Sequence, residues 1–190
     1  MTLLRKIALT AGLLLLVACG KNDLAAPPAE LGDFVLGLNI VVADNMQKVP
    51  ISRPVTVEEW EAVMKKAVED RFGRYRGDRV YNIGISVDAF ALAPKGVPLV
   101  VAPKSVLMIT ANIWDDAKGQ KLNRKGKRIT VFESLSGDTV VGSGLTRSKE
   151  QQMAALSYNA VKAVERWLMD NPAWFDMTDS RRSPTPSAAN

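Results

Sequence analysis

Six cations fall within the eleven residues from Lys118 to Arg128, namely Lys118, Lys121, Arg124, Lys125, Lys127 and Arg128. A loop of that density suits an anionic glycan, a lipid headgroup or an acidic protein surface, all of which point charges can grip. The plain reading is a hairpin loop kept in solution by its charge. Nucleic acid is not expected as a partner, because no aromatic residues interleave with the cations to stack bases. Asp115 and Asp116 could enter metal binding or acid–base chemistry, yet they stand beside Gly119 with no spaced set of further ligands, so turn-forming roles are expected. Gly142-Ser143-Gly144 precedes a helix and could offer free amides to an anion, but no phosphate-loop lysine or dinucleotide fingerprint accompanies it, which leaves a turn. The chain has no histidine. That removes serine–histidine and cysteine–histidine nucleophile pairs, histidine-ligated metals and the commonest proton shuttle near neutral pH. No enzyme activity, metal or cofactor is therefore expected.

The elements that must position these residues can be read from periodicity. Phe34, Leu36, Leu38, Ile40 and Val42 alternate with less apolar neighbours, which predicts a strand with those five on its core face. Thr56 and Glu59 match a capping box, and Val55 with Trp60 a hydrophobic staple, so a helix starts there. Its buried stripe is Trp60, Val63, Met64, Ala67, Val68 and Phe72, and Gly73 stands ready to end it. Tyr81, Ile83, Ile85, Val87, Ala89 and Ala91 predict a long strand, and Ser105 to Trp114 a second with apolar residues on both faces, as a central strand requires. Lys127 to Glu133 completes a meander, with Ile129 and Val131 sharing a face, and a short strand at Thr139 to Val141 is expected to follow. Ser148 and Gln151 form a second capping box, opening a helix to about Asp170 that Pro172 stops. The fold class is α+β: a mainly antiparallel sheet of four to five strands in the order β-α-β-β-β-α, with two helices packed on one face. Trp60 and Trp167 fall on the helical stripes and read as core. Trp174, after Pro172, either clamps the helix end or presents an exposed aromatic contact.

The 190 residues, 47% hydrophobic and 24% charged with a net charge of +5, have ordinary globular composition. The ends differ from the middle. Residues 1–18 carry Arg5 and Lys6 and then an apolar run from Ile7 to Ala18, too short for the roughly 20 residues that cross a bilayer core. The run closes in Leu16-Val17-Ala18-Cys19-Gly20, which resembles the lipobox of bacterial lipoproteins. That resemblance implies removal of residues 1–18 as a signal peptide and acylation of Cys19, with palmitate-like chains fixing the protein to a membrane. Cys19 is the only cysteine, so no disulfide can form within the chain. Gly20, where an inner-membrane retention signal has aspartate, implies the outer membrane, facing the periplasm. Residues 19–33, with Ala25-Ala26-Pro27-Pro28-Ala29, read as a flexible tether, residues 34–175 as one globular domain, and residues 176–190, with Ser183-Pro184-Thr185-Pro186-Ser187, as a disordered tail.

Two stretches carry a wider resemblance. Thr56 to Tyr75 is similar to the early "W-E-x-x-hydrophobic" helix of ABC-transport auxiliary lipoproteins, and Val140-Val141-Gly142-Ser143-Gly144 running into the last helix resembles curli-secretion and penicillin-binding-protein-activator lipoproteins. As a whole the chain resembles an uncharacterised, alphaproteobacterial-type envelope lipoprotein family. These likenesses imply a lipid-anchored periplasmic adaptor that binds another envelope protein through a sheet edge or the basic hairpin. The alternative is an auxiliary lipoprotein of an ABC-type transport system that hands over a lipid or other hydrophobic ligand, which a large apolar cleft would favour.

Overall fold

A computed structural model describes residues 23–50, 52–94, 105–133 and 147–177. The first long element, β1 (Phe34–Val42), is followed by the two-residue β2 (Gln47–Lys48) and helix α1 (Val57–Phe72). Thr56 caps α1 as its sequence demands, its hydroxyl accepting from the Glu59 amide while Glu59 accepts from the Thr56 amide. Strands β3 (Arg79–Ala91) and β4 (Val106–Asp115), the short β5 (Gln120–Lys121) and β6 (Lys127–Phe132) follow, then helix α2 (Lys149–Met169). Ser148 and Gln151 close the second capping box, and a 3-10 turn at Pro172–Phe175 follows α2. The strand expected at Thr139 to Val141 and Gly142-Ser143-Gly144 lie outside the described residues, as does Cys19.

Among the described residues the sheet has six strands. β3 is central, pairing with β1 and β2 in parallel and with β4 antiparallel, and β4 pairs antiparallel with β5 and β6. The parallel pair arises because α1 carries the chain back across the sheet between β1 and β3, whereas the β3-β4-β6 meander runs by direct reversals. Both helices pack on one face. The α+β class and the helix placement are as the sequence predicts, with more strands than expected.

Two β-bulges change which residues meet the core. A register shift between Leu36 and Asn39 inserts an extra residue in β1, so Phe34 and Val41 are buried while Leu38, Ile40 and Val42 stand on the opposite face. The expectation that Leu38, Ile40 and Val42 share the core face with Phe34 is thus corrected. A second shift, between Val87 and Ala89, brings Phe90 onto the core against Trp60, at 5.4 Å between ring centroids. The alternation read through Ala89 and Ala91 therefore ends at Val87. At the other end of the core Phe34 stacks on Tyr81 at 5.2 Å and meets Tyr75 and Phe175 edge-on. Fully burying each such ring is worth roughly 1.5–3 kcal/mol.

The margins of the domain are wider than 34–175. Within the expected tether, Leu31 is buried in the core and Asp23 is ion-paired to Arg71 of α1 and Lys162 of α2. An apolar side chain and an acid facing the buried Arg71 outweigh the loop-like composition of this stretch. Past the other end, Asp176 pairs with Arg79 and Met177 packs on the core.

Candidate functional site

The helices cover one face of the sheet, and the bulge in β1 sends three aliphatic side chains to the other. Leu38, Ile40 and Val42 are 60%, 50% and 44% exposed. The pairing places Ile40 beside Gly84, Gly84 opposite Asn112, and Asn82 opposite Trp114, so one open face collects Leu38, Ile40 and Val42 from the edge strand and Trp114 from the centre. Gly84 makes room for the tryptophan: a Cβ there would lie 2.8 Å from Cζ3 of the Trp114 ring. Asn82 organises this corner. Its Oδ1 accepts the Leu38 amide at 2.6 Å, holding the bulge, and its Nδ2 donates to Asp116 at 2.8 Å. A shallow groove of about 260 Å³ lies among Leu38, Ile40, Asn82, Trp114 and Asp116.

Charge lines the β4 side of the groove. Lys121 sits with Nζ 5.8 Å from the Trp114 ring centroid, within cation–π range. Arg128 pairs with Thr110 in the register, and Thr110 donates to Asp88 at 2.6 Å. Asp115, 1% exposed, anchors the turn that begins the basic loop: it accepts from the Lys118 amide and pairs with Arg79 at 2.9 Å and Lys118 at 3.3 Å. Burial alone would raise its carboxyl, but the hydrogen bonds from Lys118 and the charges of Lys118 and Arg79 hold it below the usual aspartate range.

Of the six candidate cations, Lys118 is thus tied back to Asp115 and Lys121 to Trp114, while Arg124, Lys125, Lys127 and Arg128 stand exposed. The loop is fixed by a residue its composition did not single out. Buried Asn123 accepts the Ile113 amide at 3.0 Å and donates to the carbonyls of Ala111 at 3.3 Å and Lys125 at 2.8 Å. The structure therefore brings the basic loop to the rim of the apolar face. Trp174 is elsewhere: half-buried, it meets Trp167 edge-on at 5.3 Å, and its carbonyl accepts the Tyr81 hydroxyl at 3.2 Å, so it clamps the end of α2.

A second polar cluster lies under the helices. Arg71, 2% exposed, donates to Glu165 at 2.6 Å and to Asp23 at 2.6 Å, and Tyr75 donates its hydroxyl to the other Glu165 oxygen at 3.0 Å. Burial and the Glu165 carboxylate push the Tyr75 phenol up. Both Glu165 oxygens are engaged by neighbours, so the arrangement cross-links α1 to α2 and is not set out for a substrate. Periodicity passes over it because polar positions carry no signal of burial. Among the described residues no three acidic or cysteine side chains converge as a metal site would need, and no helix is long and apolar enough to cross a membrane.

No protein-family model matches the chain, and no curated protein matches it. Among solved structures it is similar to a Caulobacter crescentus CB15 protein provisionally named a lipoprotein, at 11% identity over 70% of this chain and 91% of that one, with a TM-score of 0.39. It is also similar to the PelC dodecamer subunit of Paraburkholderia phytofirmans (14% identity, 73% and 89% covered, TM-score 0.37) and to a minor lipoprotein of Acinetobacter baumannii (14%, 71% and 94%, TM-score 0.26). Superpositions this loose transfer neither function nor site.

Proposed function

We propose that the chain is a lipid-anchored, non-enzymatic adaptor of the bacterial envelope, held by acylated Cys19 in the outer membrane and facing the periplasm, which docks a protein partner on the uncovered face of its sheet. One observation carries the docking surface. Three aliphatic side chains of β1, each more than 40% exposed, adjoin Trp114 on a face that no helix among the described residues covers, and cations line one side of it. Contiguous apolar surface rimmed by charge is the usual mark of an interaction site. The chemistry it fits is a partner with an apolar strand or helix face flanked by carboxylates, which would meet Lys121, Arg124, Lys125 and Arg128.

The carrier alternative is less well supported. The open-face groove of about 260 Å³, and another of about 310 Å³ at Glu59, Val63 and Met153, stand near or below the lower end of the 300–1,000 Å³ usual for small-molecule sites. The larger cleft of about 560 Å³ at Glu30, Leu31, Asp33, Arg74 and Arg76 is a wide-open depression lined as much by polar as by apolar groups, not an apolar pocket.

A photo-cross-linking residue in place of Val42, on the same face, in the membrane-bound protein, is expected to capture a defined envelope protein. Ile40→Ala should weaken that association about tenfold, equivalent to about 1.4 kcal/mol, and Ile40→Asp should abolish it, with melting unchanged. Capture that persists with the aspartate variant would exclude the sheet face.

A further inference from the structure

The stretch between the lipidation motif and the first strand is held along the helices. Asp23 receives Arg71 Nη2 at 2.6 Å, Lys162 Nζ lies 2.8 Å from its other oxygen, its amide donates to the Tyr158 hydroxyl at 3.1 Å, and that hydroxyl donates back to its carboxylate. All four contacts come from α1 and α2. Arg74 then takes the carbonyls of Leu24 at 2.9 Å and Ala26 at 2.7 Å, and Leu31 closes into the core at 1% exposure. Arg71 keeps Glu165 as a separate partner, so Asp23 is an addition to a pair that already satisfies the helix contact.

This placement changes the reach of the anchor. A free chain from Cys19 to Asp33 spans up to about 50 Å, whereas the four residue steps from Cys19 to a fixed Asp23 span at most about 14 Å. We infer that residues 23–31 are a strap that holds the helical layer of the domain against the lipid surface in which Cys19 is embedded, leaving the open sheet face turned away from that membrane. The partner of this surface is a lipid bilayer, and the leash sets the contact. Attraction does not, since Glu58, Glu69 and Asp70 stand exposed on α1 beside Lys65 and Lys66. The inference rests on the acylation of Cys19 in the proposed function and adds an orientation to it.

The test uses the acylated full chain in vesicles of phosphatidylethanolamine and phosphatidylglycerol that contain brominated lipid. Because acylation consumes the only native cysteine, a fluorophore on Lys66→Cys reports the helical face and one on Thr130→Cys the open sheet face. Strong quenching is expected at the first and little at the second, with little change as salt rises. Inserting ten Gly/Ser residues between Lys21 and Asn22 leaves the strap intact and should abolish the difference. Asp23→Lys, which sets a cation against Arg71 and Lys162, should do the same in a chain whose melting shows it folded. Equal quenching at both positions, or a difference untouched by the spacer, would overturn the strap while Cys19 is acylated. Absence of acyl labelling that depends on Cys19, tested with Cys19→Ser, would instead overturn the anchoring on which it rests.

Discussion

Gly77 lets the chain cross β1 closely. A Cβ at that position would lie 2.2 Å from the carbonyl carbon of Asp33, and the neighbouring ladder is tight, with the Gly77 amide donating to Phe34 and the Arg79 amide to Asp33, each at 2.9 Å. The obstacle is backbone and cannot rotate aside. Gly77→Ala should therefore cost about 1–3 kcal/mol in a urea titration. Gly84→Ala should cost less, because what it meets is the far end of the Trp114 ring, and its effect should fall on partner capture. Asp23 gives the residue scale its pH dependence. Partial burial would raise its carboxyl, but hydrogen bonds from Arg71, Lys162 and Tyr158 outweigh it and hold the group well below the ordinary aspartate value of about 3.9. A lowered value in the docked state means that the contribution of Asp23 is complete above about pH 4 and is lost only as pH falls further. Amide protection of residues 24–31, corrected for intrinsic exchange, should be constant from pH 7 to about pH 4 and drop below it. Loss of protection between pH 7 and pH 5 would assign the strap to some other group. Neither Asp23 nor Arg71 nor Asn123 was legible in the sequence. Asp23 and Arg71 are polar side chains made structural by partners far along the chain, and Asn123 by backbone groups across its own hairpin, neither of which a pattern of apolar spacing encodes.

At the scale of elements the sequence was far more explicit, and the reason is energetic. Capping boxes are local, since Thr56 with Glu59 and Ser148 with Gln151 satisfy amides within three residues, so both helix starts could be read exactly where they occur. The meander was equally plain because β4 is apolar on both faces, which only a central strand tolerates, and it is paired on both sides. What failed was the phase of alternation. One extra residue in β1 and one in β3 invert every later side chain, and nothing in Gly37-Leu38-Asn39 distinguishes a bulge from continued pleating until Asn82 is seen accepting the Leu38 amide from 44 residues away. The same slip hid the candidate site. The three aliphatics that define the open face look, by strict period two, like the innermost side chains of the strand.

At the scale of the molecule the arrangement is layered: strap, helices, sheet, then an exposed face bordered by cations. The functional reading of the basic loop and the plain one can be separated at this level, because Asn123 fixes the hairpin independently of its charged neighbours. Changing Lys121, Arg124, Lys125 and Lys127 together to glutamine removes four charges yet touches none of the Asn123 side-chain bonds, and exposed substitutions usually alter stability by less than about 0.5 kcal/mol each. Melting should be little changed. If the rim steers an acidic partner onto the apolar face, association of the wild type should weaken as salt rises, since exposed charges are screened over about 8 Å at physiological ionic strength. The fourfold variant should bind more weakly at low salt and lose most of that salt dependence, and the loss should appear chiefly in the association rate, because rim charges act on encounter more than on residence. Ile40→Ala should show the opposite division, with faster dissociation and an unchanged salt slope. Association that ignores both salt and the four substitutions would reduce the loop to a soluble hairpin and leave recognition to Leu38, Ile40, Val42 and Trp114 alone.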